Sequence, residues 1–514
     1  MLLRIKNYRA FSGDDGFELN LSDGFVISLL GPNNAGKSSV LRLLYDLKDL
    51  FSRLVRLHGF GIGNPRFEFN YVYSHPTEIV PRTSADGDFE ITLKDNISNR
   101  IVSIVLVVSG TSVESINLLV DGERFSNLGY QINNDVLVST RGEENISLIS
   151  FRKVFNALSD TFYVPAFRNA INLGSNENYM GLKTGTSFIR LVDEQISSDN
   201  ATTRIEAEKI TSDIRRILDM PDFRIWTSQN GKLMVQTSTG TSRLEDLGSG
   251  VSQLVIVLLN LAVAKPSIIL IDEPELGLHP ALQIAFINTL LSYSKYGVAF
   301  ATHSIGLARA TSDHVYWIEQ TREGKSTLSS FETDGRVSYE EFLGEVGFES
   351  IAKLDYETLL LVEGKNDIKV FHQLLRNYSK LDRVLILPLG GGNLIRGGVE
   401  LEMSHFARIA ASSKLAWIDS DRTVPDEDLD QHIVDFVDLC AIPPISIDVS
   451  VSDRRELENY FPHEYILNVI PGYQDIGSFG EATRDLKRLG WQVAKRINPS
   501  DLEGTDLGVF LNGL

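Results

Sequence analysis

Eight residues near the start of the chain have the types and the spacing that hold a triphosphate. Gly31–Ser38 reads Gly-Pro-Asn-Asn-Ala-Gly-Lys-Ser and fits the pattern GxxxxGK(S/T) in full. In this pattern the N–H groups of a glycine-rich turn surround the phosphates, the lysine contacts the β and γ phosphates, and the hydroxyl ligates Mg²⁺. A chance glycine turn is the alternative, but a strand-like segment before the turn and helical spacing after it disfavour that interpretation. The residues predicted to bind the nucleotide are Gly31, Asn33, Asn34, Gly36, Lys37, Ser38 and Ser39.

Two acids follow the apolar, strand-like segment Ser267–Ile271. Asp272 suits a contact with Mg²⁺ through water, and Glu273 suits a general base that orients an attacking water. An apolar strand that ends in two acids is common, so this prediction depends on the P-loop upstream and on the motifs that surround it.

Two further segments suit contacts with a γ-phosphate. Leu247–Gln253 is a turn of small residues that opens an apolar helix, and its exposed N–H groups and the Ser249 hydroxyl are suited to cap a γ-phosphate. Gly297–Thr302 predicts a buried strand that ends at His303, where the ring would sense the γ-phosphate. Taken alone, His303 would more simply be a core histidine with its hydrogen bonds satisfied.

A second group of acids lies in the C-terminal part of the chain. Glu363 follows one apolar strand-like run, and Asp419 and Asp421 follow another. In a parallel sheet the carboxyl ends of the strands meet at one edge, which is the usual ligand crevice. Clustered carboxylates repel one another unless hard cations such as Mg²⁺ or Mn²⁺ neutralise them. The alternative is that each acid only caps a loop.

The wider sequence predicts the elements that position these residues. Phe25–Leu30 is predicted to be the strand before the P-loop, and the period-two pattern of residues 66–138 predicts an antiparallel meander. Phe188–Met220 is helical in pattern and is interpreted as an inserted arm or a dimerisation helix. Residues 359–422 predict a βαβαβ unit, so the fold class is α/β.

Composition limits the partners and the compartment. The 514 residues carry a net charge of −19, which repels a polyanion at long range, so nucleic-acid binding would depend on local basic patches or bound metal. The single cysteine, Cys440, suits a reducing cytosol, and the N-terminus lacks the apolar core of a signal peptide. The longest apolar run, Leu254–Ala264, is too short for a membrane span and predicts a buried helix. We therefore expect a cytoplasmic protein of two to four domains without membrane contact.

The first set of motifs resembles the ABC-type ATPase heads of the RecF, SMC and Rad50 group. The resemblance is carried by Ile5–Phe11 (Ile-Lys-Asn-Tyr-Arg-Ala-Phe), the P-loop and the ordered segments behind it. It implies that two chains sandwich two ATP molecules, the signature of each completing the site of the other. The implied assignments are Gly31–Ser38 as Walker A, Ser249 and Gly250 as the signature with Val251 at its second glycine position, Asp272 and Glu273 as Walker B, Gly277–Pro280 as the D-loop, His303 as the switch histidine, and Arg168 near the Q-loop position.

The second set resembles a Toprim domain, in which Glu363 and Gly364 form the acidic-glycine motif, Gly390–Asn393 the glycine turn, and Asp419 and Asp421 the DxD. An ABC head followed by Toprim is the layout of the OLD (overcoming lysogenisation defect) nucleases. This resemblance implies two-metal hydrolysis of phosphodiesters with Mg²⁺, or Mn²⁺ at the Toprim site. It also implies further site residues: Glu458 as another metal ligand with Glu456 second, and Lys487 or Lys495 as a catalytic lysine.

The expected function is an ATPase-coupled, divalent-metal-dependent DNA endonuclease in anti-phage defence or DNA maintenance. The expected domains are residues 1–345, with the helical insertion at about 185–220, and residues 346–514. Expected partners are DNA, further copies of the chain joined through the heads, and a defence-system protein. One alternative is an ATP-gated DNA-binding or assembly protein whose Toprim module does not catalyse. Another is a nucleotide sensor in which ATP restrains the nuclease.

Overall fold

The computed structural model describes most of the chain. The described residues are 1–12, 16–55, 67–68, 89–97, 100–109, 112–125, 128, 130–133, 135–166, 178–179, 182–196, 198–218, 220–275, 278, 280–322, 324–331, 356–389, 403, 406 and 411–514.

The N-terminal part, up to residue 331, contains most of the strands. They are β1 (Leu2–Lys6), β2 (Phe17–Asn20), β3 (Phe25–Leu30), β4 (Phe67–Glu68), β5 (Phe89–Ile97), β6 (Arg100–Ser109), β7 (Ser112–Val120), β8 (Glu123–Arg124), β9 (Tyr130–Asn133), β10 (Val136–Ser139), β11 (Ile146–Ser147), β12 (Thr161–Val164), β13 (Asn178–Tyr179), β14 (Leu182–Lys183), β15 (Arg224–Thr227), β16 (Leu233–Thr237), β17 (Gly240–Arg243), β18 (Ile268–Asp272), β19 (Gly297–Thr302), β20 (His314–Gln320) and β21 (Ser326–Ser330). The helices are α1 (Lys37–Asp46), α2 (Lys48–Leu54), α3 (Ile149–Ser159), α4 (Gly185–Ile196), α5 (Ala201–Leu218), α6 (Ser249–Ala264), α7 (Pro280–Tyr293) and α8 (Ile305–Thr311).

The C-terminal part, from residue 356, contributes a second set of elements. Its strands are β22 (Thr358–Val362), β23 (Val384–Pro388), β24 (Ser413–Ile418) and β25 (Asp448–Val451). Its helices are α9 (Lys365–Asn377), α10 (Gln431–Ala441), α11 (His463–Val469), α12 (Arg484–Ala494) and α13 (Asp506–Gly513), with a short 3₁₀ turn at Leu457–Tyr460.

A six-stranded sheet of order β12-β18-β19-β3-β20-β21 lies at the centre of the N-terminal part. All its neighbouring strands are parallel except β20 and β21. The six residues of β3 are all buried, as expected for a central strand of a parallel sheet that is covered on both faces. Because β3, β18 and β19 run in the same direction, the residues that follow them meet at one edge.

The antiparallel pairing predicted for residues 66–138 is confirmed in the described strands. A seven-stranded sheet has the order β2-β1-β5-β6-β7-β4, with β8 paired to β7. The tail of the predicted meander differs, because β9 and β10 join β11 in a separate three-stranded sheet.

The segment predicted as one helix from Phe188 to Met220 forms two helices, α4 and α5. The break falls at a Ser-Ser-Asp-Asn run, whose side chains compete for backbone hydrogen bonds and favour caps over helix interiors. Phe188 and Leu191 of α4 and Ile214 of α5 are buried in the same core as α6. The apolar face that an arm would offer to a second chain is therefore occupied within this chain. The predicted buried helix at Leu254–Ala264 is confirmed within α6.

The C-terminal sheet has the order β23-β22-β24-β25, and all of its pairs are parallel. The predicted βαβαβ unit supplies three of the strands, and β25 adds a fourth beside β24. One apolar core runs from the N-terminal part, through Phe162 and Ile287, to Leu361 and Phe436 of the C-terminal part. No helix among the described residues is long and apolar enough to cross a membrane.

Charged side chains also join the two parts. The Lys369 ammonium donates to the Asp313 carboxylate at 2.9 Å, and both side chains are largely buried. Burial alone would raise the pKa of Asp313, but Lys369 and Lys365 hold that pKa below its usual value. Arg376 donates to Asp213 at 2.8 Å, a second buried pair across the same junction. Removing one partner of such a pair leaves an uncompensated buried charge, so these contacts fix how the parts dock.

Candidate functional site

The P-loop connects β3 to α1 through backbone that only glycine adopts easily. Gly31 has φ of 150°, and a Cβ built there would lie 2.1 Å from the carbonyl oxygen of Ile318 on β20. Gly36 has φ of 110°, and α1 begins at the next residue, Lys37. The loop backbone therefore closes tightly over the end of the central sheet, with its N–H groups at a helix N-terminus, where an anion is favoured.

Lys37 is folded back onto this loop. Its ammonium donates to the carbonyl oxygens of Gly31 at 2.8 Å and Pro32 at 2.9 Å, and it lies 3.3 Å from Nε2 of His303. Burial lowers the pKa of Lys37, and Glu273 and Asp272 partly offset that shift. A phosphate would supply the negative charge and the oxygen acceptors that this desolvated ammonium favours.

Asp272 ends β18 beside the P-loop serine. Its carboxylate accepts hydrogen bonds from the Ser38 hydroxyl at 3.1 Å and from the Tyr163 hydroxyl, at the end of β12, at 2.6 Å. Burial raises the pKa of Asp272, while both hydrogen bonds oppose the rise because they stabilise the ionised form. A carboxylate and a hydroxyl side by side are oxygen donors of the type that Mg²⁺ prefers.

Glu273 and His303 face each other next to this pair. Glu273 has φ of 50°, and its carboxylate lies 3.6 Å from Nε2 of His303. His303 is held by Glu275, whose carboxylate accepts from the His303 N–H at 3.0 Å and from the Thr302 hydroxyl at 2.7 Å. Sequence reasoning assigned no role to Tyr163 or Glu275, although Glu275 lies two residues after the acid pair.

The Ser249–Gly250 segment forms the first turn of α6, after Gly248 as its N-cap. A Cβ at Gly248 would meet no atom of the described residues within 4 Å, so the N-cap position of this helix is open on that side. Arg168, Gly277 and His279 of the D-loop, and Gly390–Asn393 lie outside the described residues.

The C-terminal acids meet at the carboxyl edge of the parallel sheet. Glu363 follows β22 and Asp419 follows the adjacent β24, and the Asp419 N–H donates to the Glu363 carboxylate at 2.9 Å. Asp367, in the first turn of α9, accepts from the N–H of Gly364 at 2.8 Å. The 3₁₀ turn after β25 brings in Glu458, which is 3% exposed.

These acids raise one another's pKa values. Burial, followed by Glu363, Asp367 and Glu458, raises the pKa of Asp419 well above its usual value. Burial and Asp367 raise the pKa of Glu458 to about 8. Burial, Asp367 and Asp421 raise the pKa of Glu363. These carboxylates therefore lie close enough for their charges to repel one another, and that repulsion disfavours the state in which all of them are ionised.

One of the two candidate lysines lies at this cluster. Lys487 on α12 donates to Glu456 at 2.7 Å, and its pKa is raised by that pairing and by Glu458 and Asp419, against the effect of burial. Lys495, the residue directly after α12, instead donates to the carbonyl oxygen of Ser294 at 3.1 Å in the N-terminal part. The structure therefore brings Lys487, and not Lys495, to the acids.

Asp421 was predicted to be a metal ligand together with Glu363 and Asp419, but the described acids do not have the arrangement of a formed metal site. Asp421 is exposed, has φ of 55°, and donates its N–H to the carbonyl oxygen of Arg455 at 3.0 Å. Within the described part of the chain, no three acid, histidine or cysteine side chains are arranged as they stand to hold a metal ion together. Carboxylate oxygens are the type of ligand that a hard cation prefers. In this structure, however, the Glu363 carboxylate accepts a hydrogen bond from the Asp419 N–H.

Comparison with known proteins gives one family match. Residues 120–309 match the profile described as "AAA domain, putative AbiEii toxin, Type IV TA system". The matched range includes α6, Asp272, Glu273 and His303, and it lies downstream of the P-loop.

Short matches to curated proteins and a broader match to a solved structure accompany it. The sn-glycerol-3-phosphate import ATP-binding protein UgpC 2 of Rhizobium johnstonii is 37% identical over 59 residues, 12% of this chain and 17% of that protein. The cytochrome c biogenesis ATP-binding export protein CcmA of Shewanella frigidimarina is 37% identical over 57 residues, 11% and 26% of the two lengths. The chain thus spans about a quarter or less of the curated relatives it matches. The solved structure of an SMC head bound to the C-terminal winged-helix domain of ScpA has a TM-score of 0.39 and 14% identity, covering 65% of this chain and 98% of that one.

The family match and the curated relatives agree with the geometry of the first centre. P-loop, acid pair and histidine meet at the carboxyl edge of one parallel sheet, and the matched curated proteins are ATP-binding components. These findings together support an ABC-type ATPase head in the N-terminal part of the chain.

Proposed function

We propose that this chain is an ATPase-coupled, divalent-metal-dependent DNA endonuclease of the OLD type. In this proposal residues 1–345 are the ATPase domain and residues 346–514 a Toprim nuclease domain. The observation that carries the proposal is the meeting of Glu363, Asp419 and Glu458, with Lys487 nearby, at the sheet edge of a chain that also holds an ATPase centre.

In the ATPase centre each residue has a proposed role. Lys37 would exchange its two carbonyl contacts for the β and γ phosphates. Ser38 and Asp272 would hold Mg²⁺, which would neutralise phosphate charge. Glu273 takes a proton from the attacking water, and His303 reports the γ-phosphate. Ser249 and Gly250, in the first turn of α6, are proposed to complete the site of a second copy, because N–H groups at the start of a helix favour an anion and a symmetric pair of chains would place each turn at the partner's site.

In the C-terminal centre the acids are proposed to hold one or two divalent cations. Glu363, Asp419, Asp421 and Glu458 are the proposed ligands, and Mg²⁺ or Mn²⁺ would activate a water and stabilise the leaving oxygen. Lys487, held by Glu456, supplies positive charge to the cleaved phosphate. Since the chain carries a net charge of −19, bound cations would also reduce its repulsion of DNA.

A plasmid-nicking assay with Mg²⁺ or Mn²⁺ tests this proposal. We expect the wild type to nick and Asp419→Asn to lose about 100-fold or more of that activity, since a ligand carboxylate is removed with little change of shape. The matched control is Asp426→Asn, an exposed acid on the loop that follows. Equal nicking by wild type and Asp419→Asn would show that Asp419 takes no part in cleavage.

A second candidate is an ATP-gated DNA-binding or assembly protein whose Toprim module does not catalyse. Its support is the lack, within the described residues, of three side chains arranged as metal ligands. It predicts ATP-dependent dimers, no nicking with any divalent metal, and no effect of Glu363→Gln on assembly. A third role, in which ATP restrains cleavage, predicts that ATP slows nicking by the wild type and not by Lys37→Met.

The biological setting proposed is anti-phage defence or DNA maintenance. The profile that matches residues 120–309 is described as that of a putative toxin of a type IV TA system, and this description is the support for a defence role. In such a setting a partner protein is also proposed.

A further inference from the structure

A cavity of about 290 Å³ lies at the junction of the two parts of the chain. Helices α5, α6 and α7 and the turn after α7 line one side, and α9 with the end of α12 lines the other. Its charged lining is unusual for a chain with 68 acids and 49 lysines and arginines. Five cations line it against the single acid Glu206: Lys209, Lys265, Lys295, Arg376 and Lys495.

Three of the cations have acidic partners. Lys265 lies 2.6 Å from Glu206, and Arg376 pairs with Asp213, which is buried behind it. Lys295 is 3.7 Å from Asp160 at the surface. In each pair the carboxylate offsets the positive charge of its partner, so these three cations add little net charge to the cavity.

Lys495 and Lys209 differ from the other three. Within the described residues, neither forms an ion pair with a carboxylate; the Lys495 ammonium donates to the carbonyl oxygen of Ser294 at 3.1 Å and lies 5.3 Å from the centre of the Trp491 ring. Burial, with smaller contributions from Arg376, Arg496 and Lys265, lowers the pKa of Lys495 to about 7. A desolvated ammonium surrounded by like charges is stabilised by an anion, which the cavity has room to hold.

We propose that this cavity binds a phosphorylated small molecule whose phosphate contacts Lys495 and Lys209. The volume is near the lower end of small-molecule sites, at about 300 Å³. A concave cavity between packed helices suits a compact phosphate ester better than a duplex, whose backbone needs an extended basic surface. The proposal is independent of the nuclease and of the P-loop.

The position of the cavity gives the ligand a structural effect. Lys209 lies on α5 of the N-terminal part, and Lys495 follows α12 of the C-terminal part. A phosphate held by both lysines bridges the two parts, so binding stabilises their docked arrangement by mass action. The site would thereby let a phosphorylated metabolite tighten the junction between the ATPase head and the acid cluster.

Calorimetric titration with inorganic pyrophosphate tests the site. The parent for all variants is Lys37→Met, and metal is removed by chelation, so that neither the P-loop nor a metal-bound anion accounts for the heat. We expect saturable binding at neutral pH and a rise of the melting temperature. Lys495→Met and Lys209→Met should each weaken binding by about tenfold or more, the loss expected for one charge-assisted hydrogen bond.

One control variant and the exposure of Lys209 keep the result interpretable. Lys232→Met removes an exposed lysine from the hairpin turn between β15 and β16 and should leave affinity unchanged. Lys209 is itself exposed, so Lys209→Met tests the site without disturbing the core. No binding in the parent, or equal affinity in the parent and both lysine variants, overturns the proposal. Displacement of pyrophosphate by a short DNA duplex would assign the cavity to nucleic acid and overturn it as well.

Discussion

At the scale of single residues, the two centres differ in what surrounds their acids: hydroxyl donors contact the acid of the first centre, and other carboxylates lie near the acids of the second. Asp272 accepts hydrogen bonds from the Ser38 and Tyr163 hydroxyls, and these donors offset part of the rise in pKa that burial causes. Asp419 instead faces other acids, and Lys487 is the cation that lies among them. The second centre therefore gains more than the first from a bound divalent cation.

Several of these contacts could not be predicted from the sequence. Glu363, Asp419 and the P-loop residues follow directly from local patterns, because each ends an apolar run. Tyr163 reaches Asp272 across 109 residues, and Lys487 reaches Glu456 across 31. Such pairs depend on how separate elements pack, and short polar motifs in one sequence carry no signal for them. Asp367 was overlooked for a different reason: its position at the start of a helix reads as an ordinary cap.

The proposed roles of Glu273 and Lys37 give a residue-scale prediction. Glu273→Gln keeps the shape of the side chain and removes the base, so we expect ATP hydrolysis to fall by about 10²- to 10⁴-fold. Nucleotide binding should remain, because Lys37 and Ser38 are untouched. Phosphate release and fluorescent-nucleotide binding measure the two effects, with Glu123→Gln on the exposed β8 as the control. Equal hydrolysis by Glu273→Gln and the wild type would exclude Glu273 as the base.

At the scale of elements, residues that share one strand or one turn were the most predictable. The P-loop unit of β3, turn and α1 was predictable because strand, glycines and helix are contiguous. The division of residues 185–218 into α4 and α5 was missed because its signal is four polar residues within a charged helical pattern. The strand β25 was missed because Asp448–Val451 is short and two of its four residues are polar.

The close approach of the P-loop to β20 gives an element-scale prediction. Gly31→Ala places a Cβ 2.1 Å from the Ile318 carbonyl oxygen, so the loop must shift and nucleotide binding should be lost together with stability. Gly122→Ala is the matched control, because Gly122 also has positive φ, at 87°, but a Cβ there meets nothing within 4 Å. Its cost should be limited to backbone strain, about 1–3 kcal/mol.

Differential scanning calorimetry and nucleotide binding compare these two variants. The melting temperature should fall further for Gly31→Ala than for Gly122→Ala, and only Gly31→Ala should lose nucleotide binding. Similar behaviour of both variants would show that the contact with Ile318 is not limiting.

At the scale of the whole molecule, the junction between the two parts is built from both apolar and charged contacts. A shared core and the Lys369–Asp313 and Arg376–Asp213 pairs hold the parts together. The cationic cavity lies in the same junction, and Lys495 of the C-terminal part is in its lining.

The titration of Lys495 gives a whole-molecule prediction. Its pKa of about 7 is depressed from 10.5, so between those values the unfolded chain binds more protons than the folded one. Stability should therefore rise with pH from about 7 towards 10, by at most about 1.4 kcal/mol per pH unit from this group. Below pH 7 the lysine is charged in both states and contributes no slope.

Melting temperatures of wild type and Lys495→Met across that range measure the effect. The difference between the two should shrink as pH rises, because Lys495→Met lacks the buried charge at every pH. Parallel curves would contradict the depressed pKa.

Direct counting of bound metal shows whether the acids after β22 and β24 form a cation site, and it requires no knowledge of the DNA substrate. Nucleotide-free protein in the Lys37→Met background is titrated with Mn²⁺ and followed by electron paramagnetic resonance. We expect tight binding in this parent, retention in Asp426→Asn, and loss in Asp419→Asn combined with Glu458→Gln. Equal Mn²⁺ binding with and without those two acids would show that they do not form a cation site.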